Sequence, residues 1–253
     1  MRSWWSLYKK EIYNIWFFSL IVFLIVTGWQ LFLVYKMGRW PAELIFGLSF
    51  LPLSFFPLIM LWQGYQSFRY EWKDDTAYFL LTLPRSGWQI TLAKLTAGMT
   101  FYILTTLYTL LIIYLSNRSI INVFLADLPM NINTELLLNP FYQMTVMYII
   151  SGIVIYILAQ FSYLISRFYN RFNGIISIVI FILSVYIVHR GGSLLGPIFK
   201  WIPDIPIHIM DGMAGVFQER IVYVGTGPII GSLIMLIVIF FAGSWIFEKH
   251  LEV

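Results

Sequence analysis

The chain has 253 residues, of which 60% are hydrophobic, 19% aromatic and only 11% charged, and its mean hydropathy is +0.80. That balance excludes an ordinary soluble domain and predicts an all-α polytopic membrane protein, with 1–253 forming one transmembrane domain. The net charge of +4 comes from basic residues that flank apolar runs and do not gather on one face, which fits orientation in a bilayer and excludes nucleic acid as a partner. With no cysteine, and with His189, His208 and His250 far apart, neither a thiolate site nor a metal site is expected.

In chain order, residues 1–14 come first. Trp4, Trp5, Tyr8, Ile12 and Trp16 recur at helical spacing, with Lys9, Lys10 and Glu11 between them. The pattern predicts an amphipathic helix lying in the membrane interface, or an aromatic belt with positive flanks. The first apolar run is too long for the core of a signal peptide and is expected to stay as an anchor. Since about 20 apolar residues cross a bilayer, six spans are predicted: 15–35, 44–65, 95–115, 142–165, 174–188 and 229–247. The fifth is short and is expected to extend. Pro52 and Pro57 in the second predict kinks within the span.

Placing the N-terminus in the cytosol leaves ten Lys and Arg in cytoplasmic segments and six in outer ones. Both termini are therefore expected on the cytoplasmic side. All acidic and basic residues then fall outside the spans or at their edges, so no proton relay, ion-coupled carrier or intramembrane catalytic site is expected. Small and polar residues recur within the spans, among them Thr105, Thr109, Gln160, Ser177 and Ser184. They either line a pathway for an amphipathic substrate or allow close helix packing. Gly227 and Gly231 have the spacing of a helix-packing pair.

The outer segment, 189–228, is apolar for an exposed loop. It predicts two short re-entrant or interfacial helices broken by Pro203, Pro206 and Gly212, with a small folded cap as the alternative. None of the seven lysines is followed by Ser or Thr, so the chain has no P-loop, and any ATP hydrolysis belongs to another polypeptide.

The longest cytoplasmic segment is 66–94. Residues 69–75 are charged, 78–83 apolar and 84–87 a turn, with Ser86 placed to cap the helix leading into the third span. Apolar residues set between charges invite a partner surface or pack beneath the protein's own bundle. The segment resembles the stretch between the second and third spans of ABC-2 type transporter permeases. The residues that carry the likeness are Glu71, Thr76, Leu80, Leu81, Leu83, Pro84, Ser86, Trp88, Ile90 and Lys94, while Arg85, Gly87 and Ala93 depart from the family pattern.

The resemblance implies a permease subunit of an ABC exporter, multi-pass in the plasma membrane of a bacterium. Its partners would be a separate ATP-binding cassette subunit, which holds ATP and Mg, and a second permease chain, identical or related. Docking onto the ATPase would involve Arg69, Glu71, Lys73, Asp74, Asp75, Thr76, Tyr78, Phe79, Leu80, Leu83, Pro84 and Arg85. The charges would set register and the apolar residues would supply buried area. The expected cargo is amphipathic, such as a peptide antibiotic, a lipid or a drug. A membrane sensor or scaffold that binds a cytoplasmic partner without transport is the alternative, and an intramembrane enzyme ranks behind both.

Overall fold

The computed structural model describes residues 2–73, 86–126, 134–169, 173–213 and 216–249. Its helices are α1 (Arg2–Lys36), α2 (Ala42–Ser49), α3 (Leu51–Lys73), α4 (Gly87–Ser116), α5 (Arg118–Ala126), α6 (Thr134–Ser166), α7 (Asn173–Leu195) and α8 (Thr226–Lys249). A 3-10 turn, Gly196–Phe199, follows α7, and two strands, β1 (Ile205–Met213) and β2 (Val216–Val224), precede α8. Among the described residues, six segments are long and apolar enough to cross a membrane: Trp4–Lys36, Ala42–Lys73, Gly87–Ser116, Phe141–Ser166, Asn173–Phe199 and Thr226–Lys249. The chain is an all-α polytopic protein with six such helices.

The bundle is turned inside out relative to a soluble one. Leu24, Ile25, Leu183, Ile182, Ile237 and Phe241 are exposed on its outside, as helix faces that meet hydrocarbon must be. Helices α4 and α6 are central: α1 packs mainly on α4, α3 on α6, and α8 on α7, α6 and α4. The inner layer consists of Val22, Val26, Phe56, Met60, Phe101, Tyr102 and Tyr156. A second cluster, Phe68, Ile90, Tyr163, Leu164 and Phe247, lies at the end of the bundle that carries both termini, called here the terminal end.

Two close approaches set the geometry. Where α7 and the 3-10 turn after it meet α8, Gly192 and Gly196 face Gly231 and Gly227. A Cβ on Gly231 would stand 2.6 Å from the Gly192 carbonyl oxygen, and one on Gly227 would strike that of Gly196. Helix backbones come this near only where side chains are absent. In α3, Pro57 has no N–H to offer the carbonyl of Leu53 one turn back. The Tyr148 hydroxyl on α6 donates to that oxygen instead, at 2.6 Å. Pro52 stands near the start of α3, just after the break at Phe50, where a missing N–H costs little.

Three expectations are corrected. The interfacial helix expected over 1–14 is not a separate element, because α1 runs unbroken from Arg2 to Lys36; no Gly or Pro interrupts its first 26 residues, 2–27, so nothing forces a bend. The outer segment does not form two re-entrant helices. After the 3-10 turn it becomes an antiparallel hairpin pairing Ile205 with Val224 through to Met213 with Val216. The alternation of Ile205, Ile207 and Ile209, and of Val222 and Val224, has the two-residue period of a strand. Ser86 occupies the N-cap of α4, yet its side chain makes no capping bond. The Glu248 carboxylate, arriving from α8, takes the Gly87 N–H at 2.8 Å.

Candidate functional site

Glu11 on α1, Glu71 on α3 and Lys94 on α4 converge inside the terminal end. Lys94 lies seven residues into its helix, on the order of 10 Å from its start, and only 1% of it is exposed. Its ammonium donates to Glu11 Oε1 at 2.7 Å and to Glu71 Oε1 at 2.9 Å. Lys10, half-exposed, donates to both oxygens of Glu71 at 3.1 and 3.4 Å. The Lys94 ammonium also stands 5.5 Å from the centre of the Phe68 ring, a face that attracts cations. The Tyr156 hydroxyl holds the main-chain oxygen of Lys94 at 2.9 Å.

Burial of three ions is tolerable only when each is paired. The pairing here joins three helices, of which α1 and α3 scarcely touch one another directly. The charges that the sequence places at span edges are thus gathered inside the terminal end of the bundle. Glu11, Glu71 and Lys94 sit at span edges in the linear sequence, but the helices extend past the apolar runs and fold these edges inward. A sequence signal for the cluster existed: the assigned topology puts all three opposite charges at one side of the membrane and at similar depth.

One turn earlier, α4 is tied to α8. Thr91 and Ser244 share a hydroxyl–hydroxyl bond of 2.7 Å, and Gly87 is held by Glu248 as described. The first two turns of α4 are thus fixed to α1, α3 and α8 together.

Of the docking residues expected from the sequence, Asp74, Asp75, Thr76, Tyr78, Phe79, Leu80, Leu83, Pro84 and Arg85 lie outside the described residues. Arg69 and Lys73 are exposed on the last turns of α3, with Arg69 against the Tyr65 ring at 5.8 Å. Glu71 points the other way, 5% exposed, and belongs to the ionic cluster. The alternation follows from the 100° step of a helix, which turns residue 71 away from the side that carries 69 and 73.

The five polar residues considered for a pathway are buried and occupied in helix contacts. Thr105, Thr109 and Ser184 donate to carbonyls of the preceding turn. Ser177 meets Ser162 at 3.2 Å, and Gln160 donates to Ser67 at 3.3 Å. This is the packing arrangement. Among the described residues, no three His, Asp or Glu side chains converge as metal ligands would.

Beside the ionic cluster, between α1 and α3, lies a cavity of about 150 Å³ bordered by Glu11, Glu71, Trp62, Gln63 and Tyr156. Comparison with protein-family models, with curated proteins and with solved structures finds no match to this chain.

Proposed function

We propose that the chain is the permease subunit of an ATP-binding cassette exporter, moving an amphipathic molecule with energy supplied by a separate ATPase. The observation that carries this reading is the Lys94–Glu71 ion pair of 2.9 Å, which closes the base of the segment that would meet the motor. The described chain stops at Lys73, two residues after Glu71, and resumes at Ser86, eight residues before Lys94. Both roots of that segment are fastened to each other and, through Glu11 and Glu248, to α1 and α8. A push on the segment would therefore reach four helices as one unit, which is what a coupling element must do.

Two further features favour the reading. The chain has no P-loop of its own, so an energy source has to come from a partner. Its charged groups inside the bundle are neutralised by one another, which suits a mechanical linkage better than an ion-coupled carrier. A second permease chain would complete the pathway, since the polar residues within this bundle are already used in packing.

The test is isolation of the intact complex from native membranes, followed by reconstitution in vesicles. Co-purification of a P-loop ATPase and ATP-dependent movement of an amphipathic cargo are expected. Replacing Asp74 and Asp75 with Lys, or deleting 78–83, should abolish association or stimulated hydrolysis. Unchanged assembly and hydrolysis in both variants would overturn the coupling role. A co-purifying partner that supports no transport of any cargo would favour the sensor or scaffold reading.

A further inference from the structure

The cavity beside the ionic cluster has a composition that selects for charge. Two carboxylates, Glu11 and Glu71, reach it, together with the rings of Phe18, Trp62 and Tyr70 and the amide of Gln63. None of the described residues that line it is basic. The two lysines that neutralise the carboxylates approach from elsewhere. Glu11 meets Lys94 through Oε1, and among the described residues nothing donates to its second oxygen.

The cavity exists because α1 and α3 lean on different neighbours, α1 on α4 and α3 on α6. That leaves a cleft with Tyr156 of α6 at its inner wall. Its rim carries Trp62 and Tyr70, 51% and 54% exposed. The Gln63 amide adds an independent sign: neither its nitrogen nor its oxygen has a hydrogen-bond partner among the described residues, although both atoms are shielded from solvent. Buried polar atoms of this kind usually have a partner.

We infer that this cleft binds a small organic ammonium group, either a free amine or the headgroup of a zwitterionic lipid. Aromatic faces combined with a carboxylate form the recognised chemistry for such a cation. An anion is disfavoured by two carboxylates. A bare metal ion is disfavoured because most of the wall is aromatic and apolar. The volume also fits: a cavity of about 150 Å³ accommodates a molecule the size of benzene, which is the scale of a tetramethylammonium or ethanolammonium group. The inference does not depend on the exporter reading, since a sensor would hold the same cleft.

The experiment is titration calorimetry on the purified full-length protein in lipid nanodiscs, at constant ionic strength. The probes are tetramethylammonium, ethanolammonium and the neutral analogue 2,2-dimethylpropan-1-ol. Saturable binding of at least one ammonium is expected, with the neutral analogue at least about tenfold weaker, a difference equal to roughly 1.4 kcal/mol. Trp62→Leu is expected to weaken ammonium binding about tenfold by removing a ring at the rim, a loss in the range of a desolvated cation–π contact. Glu11→Gln should weaken it further. Because Glu11→Gln also strips a partner from Lys94, Trp62→Leu carries the test if that variant fails to fold.

Native mass spectrometry separates the sources. Retention of one phosphatidylethanolamine, displaced by tetramethylammonium, assigns a lipid headgroup. Binding of the free amine in phosphatidylglycerol nanodiscs, with no phosphatidylethanolamine retained when that lipid is offered, assigns a soluble amine. Equal binding of the neutral analogue, unchanged affinity in Trp62→Leu, or no binding of either ammonium would overturn the inference.

Discussion

Replacing Lys94 with Met tests the ionic cluster most directly. Lys94 touches Glu11 and Glu71 at 2.7 and 2.9 Å with 1% of its side chain exposed. At an effective dielectric of about 20, each contact attracts by roughly 6 kcal/mol. Dehydrating three ions offsets most of that gain, at several kcal/mol apiece. The intact cluster therefore contributes little net stability compared with an apolar replacement, whereas breaking it is expensive. Lys94→Met leaves Glu11 buried without its cation and should cost about 3–5 kcal/mol.

Lys10→Ala removes a partner that is itself 44% exposed, and screening limits its effect to about 0–1 kcal/mol. The triple variant Glu11→Gln, Glu71→Gln, Lys94→Met removes the charges together and should recover much of the loss. The assay is thermal unfolding of the detergent-solubilised protein, followed by tryptophan fluorescence and gel filtration. The expected order of midpoints is wild type, Lys10→Ala, the triple variant and last Lys94→Met. A triple variant no more stable than Lys94→Met, or a Lys10→Ala change as costly as Lys94→Met, would refute the reasoning.

Three other outcomes follow from the packing. Tyr148→Phe should destabilise by about 1–3 kcal/mol, because it strands the Leu53 carbonyl that Pro57 leaves without a donor; the same unfolding assay measures it, and in a Pro57→Ala background the cost should shrink. Gly231→Ala should cost about 1–3 kcal/mol by overpacking against the Gly192 backbone, while Gly28→Ala, which has nothing within 4 Å of the added carbon, should be neutral or slightly stabilising. Thr91→Val should cost about 1 kcal/mol through loss of the bond to Ser244, and hydrogen exchange should then show faster opening of the first turns of α4.

The spans were legible because bilayer crossing makes a one-dimensional demand on sequence: a sustained apolar run can be counted. The six runs lie within the six membrane-long segments, and the short fifth run, 174–188, extends to Phe199 as expected. Helix ends were less legible. Residues 1–14 alternate ring and charge in a way that suits an interface, yet α1 begins at Arg2 and runs on through them, because helical hydrogen bonding does not stop where hydropathy falls. The outer hairpin is hard to read for a related reason: its alternation is present, but Pro206 and Gly212 interrupt it as helix breakers would.

The ionic cluster is the least legible feature in the sequence. Reading charges as belonging to loops treats each residue alone, while pairing depends on which helices become neighbours. Glu71 and Lys94 stand in a recognisable motif, but Glu11, 60 residues before Glu71, carries no local mark of its partnership. The same applies to Tyr148 and Pro57. A carbonyl orphaned by proline is predictable from sequence, and the identity of the side chain that satisfies it is not. Gly192 and Gly196, by contrast, share the spacing of Gly227 and Gly231 and could have been paired with them.

The unbroken length of α1 has a mechanical consequence. Its 35 residues measure about 52 Å at 1.5 Å per residue, against a hydrocarbon thickness of roughly 30 Å. The rod is gripped near one end, at Glu11, and is joined to α2 toward the other, where Gln30 donates to the Ser49 carbonyl at 2.9 Å; its last residue, Lys36, lies 25 residues from Glu11, about 37 Å along the axis. A pivot of 5° at the grip would sweep the far end through roughly 3 Å, close to the width of a water molecule, with no bond in the helix disturbed. Residues Trp40 and Pro41, which follow that end and lead into α2, would be carried with it. A small rotation at one membrane face would thus arrive at the other enlarged, without any change of shape in between.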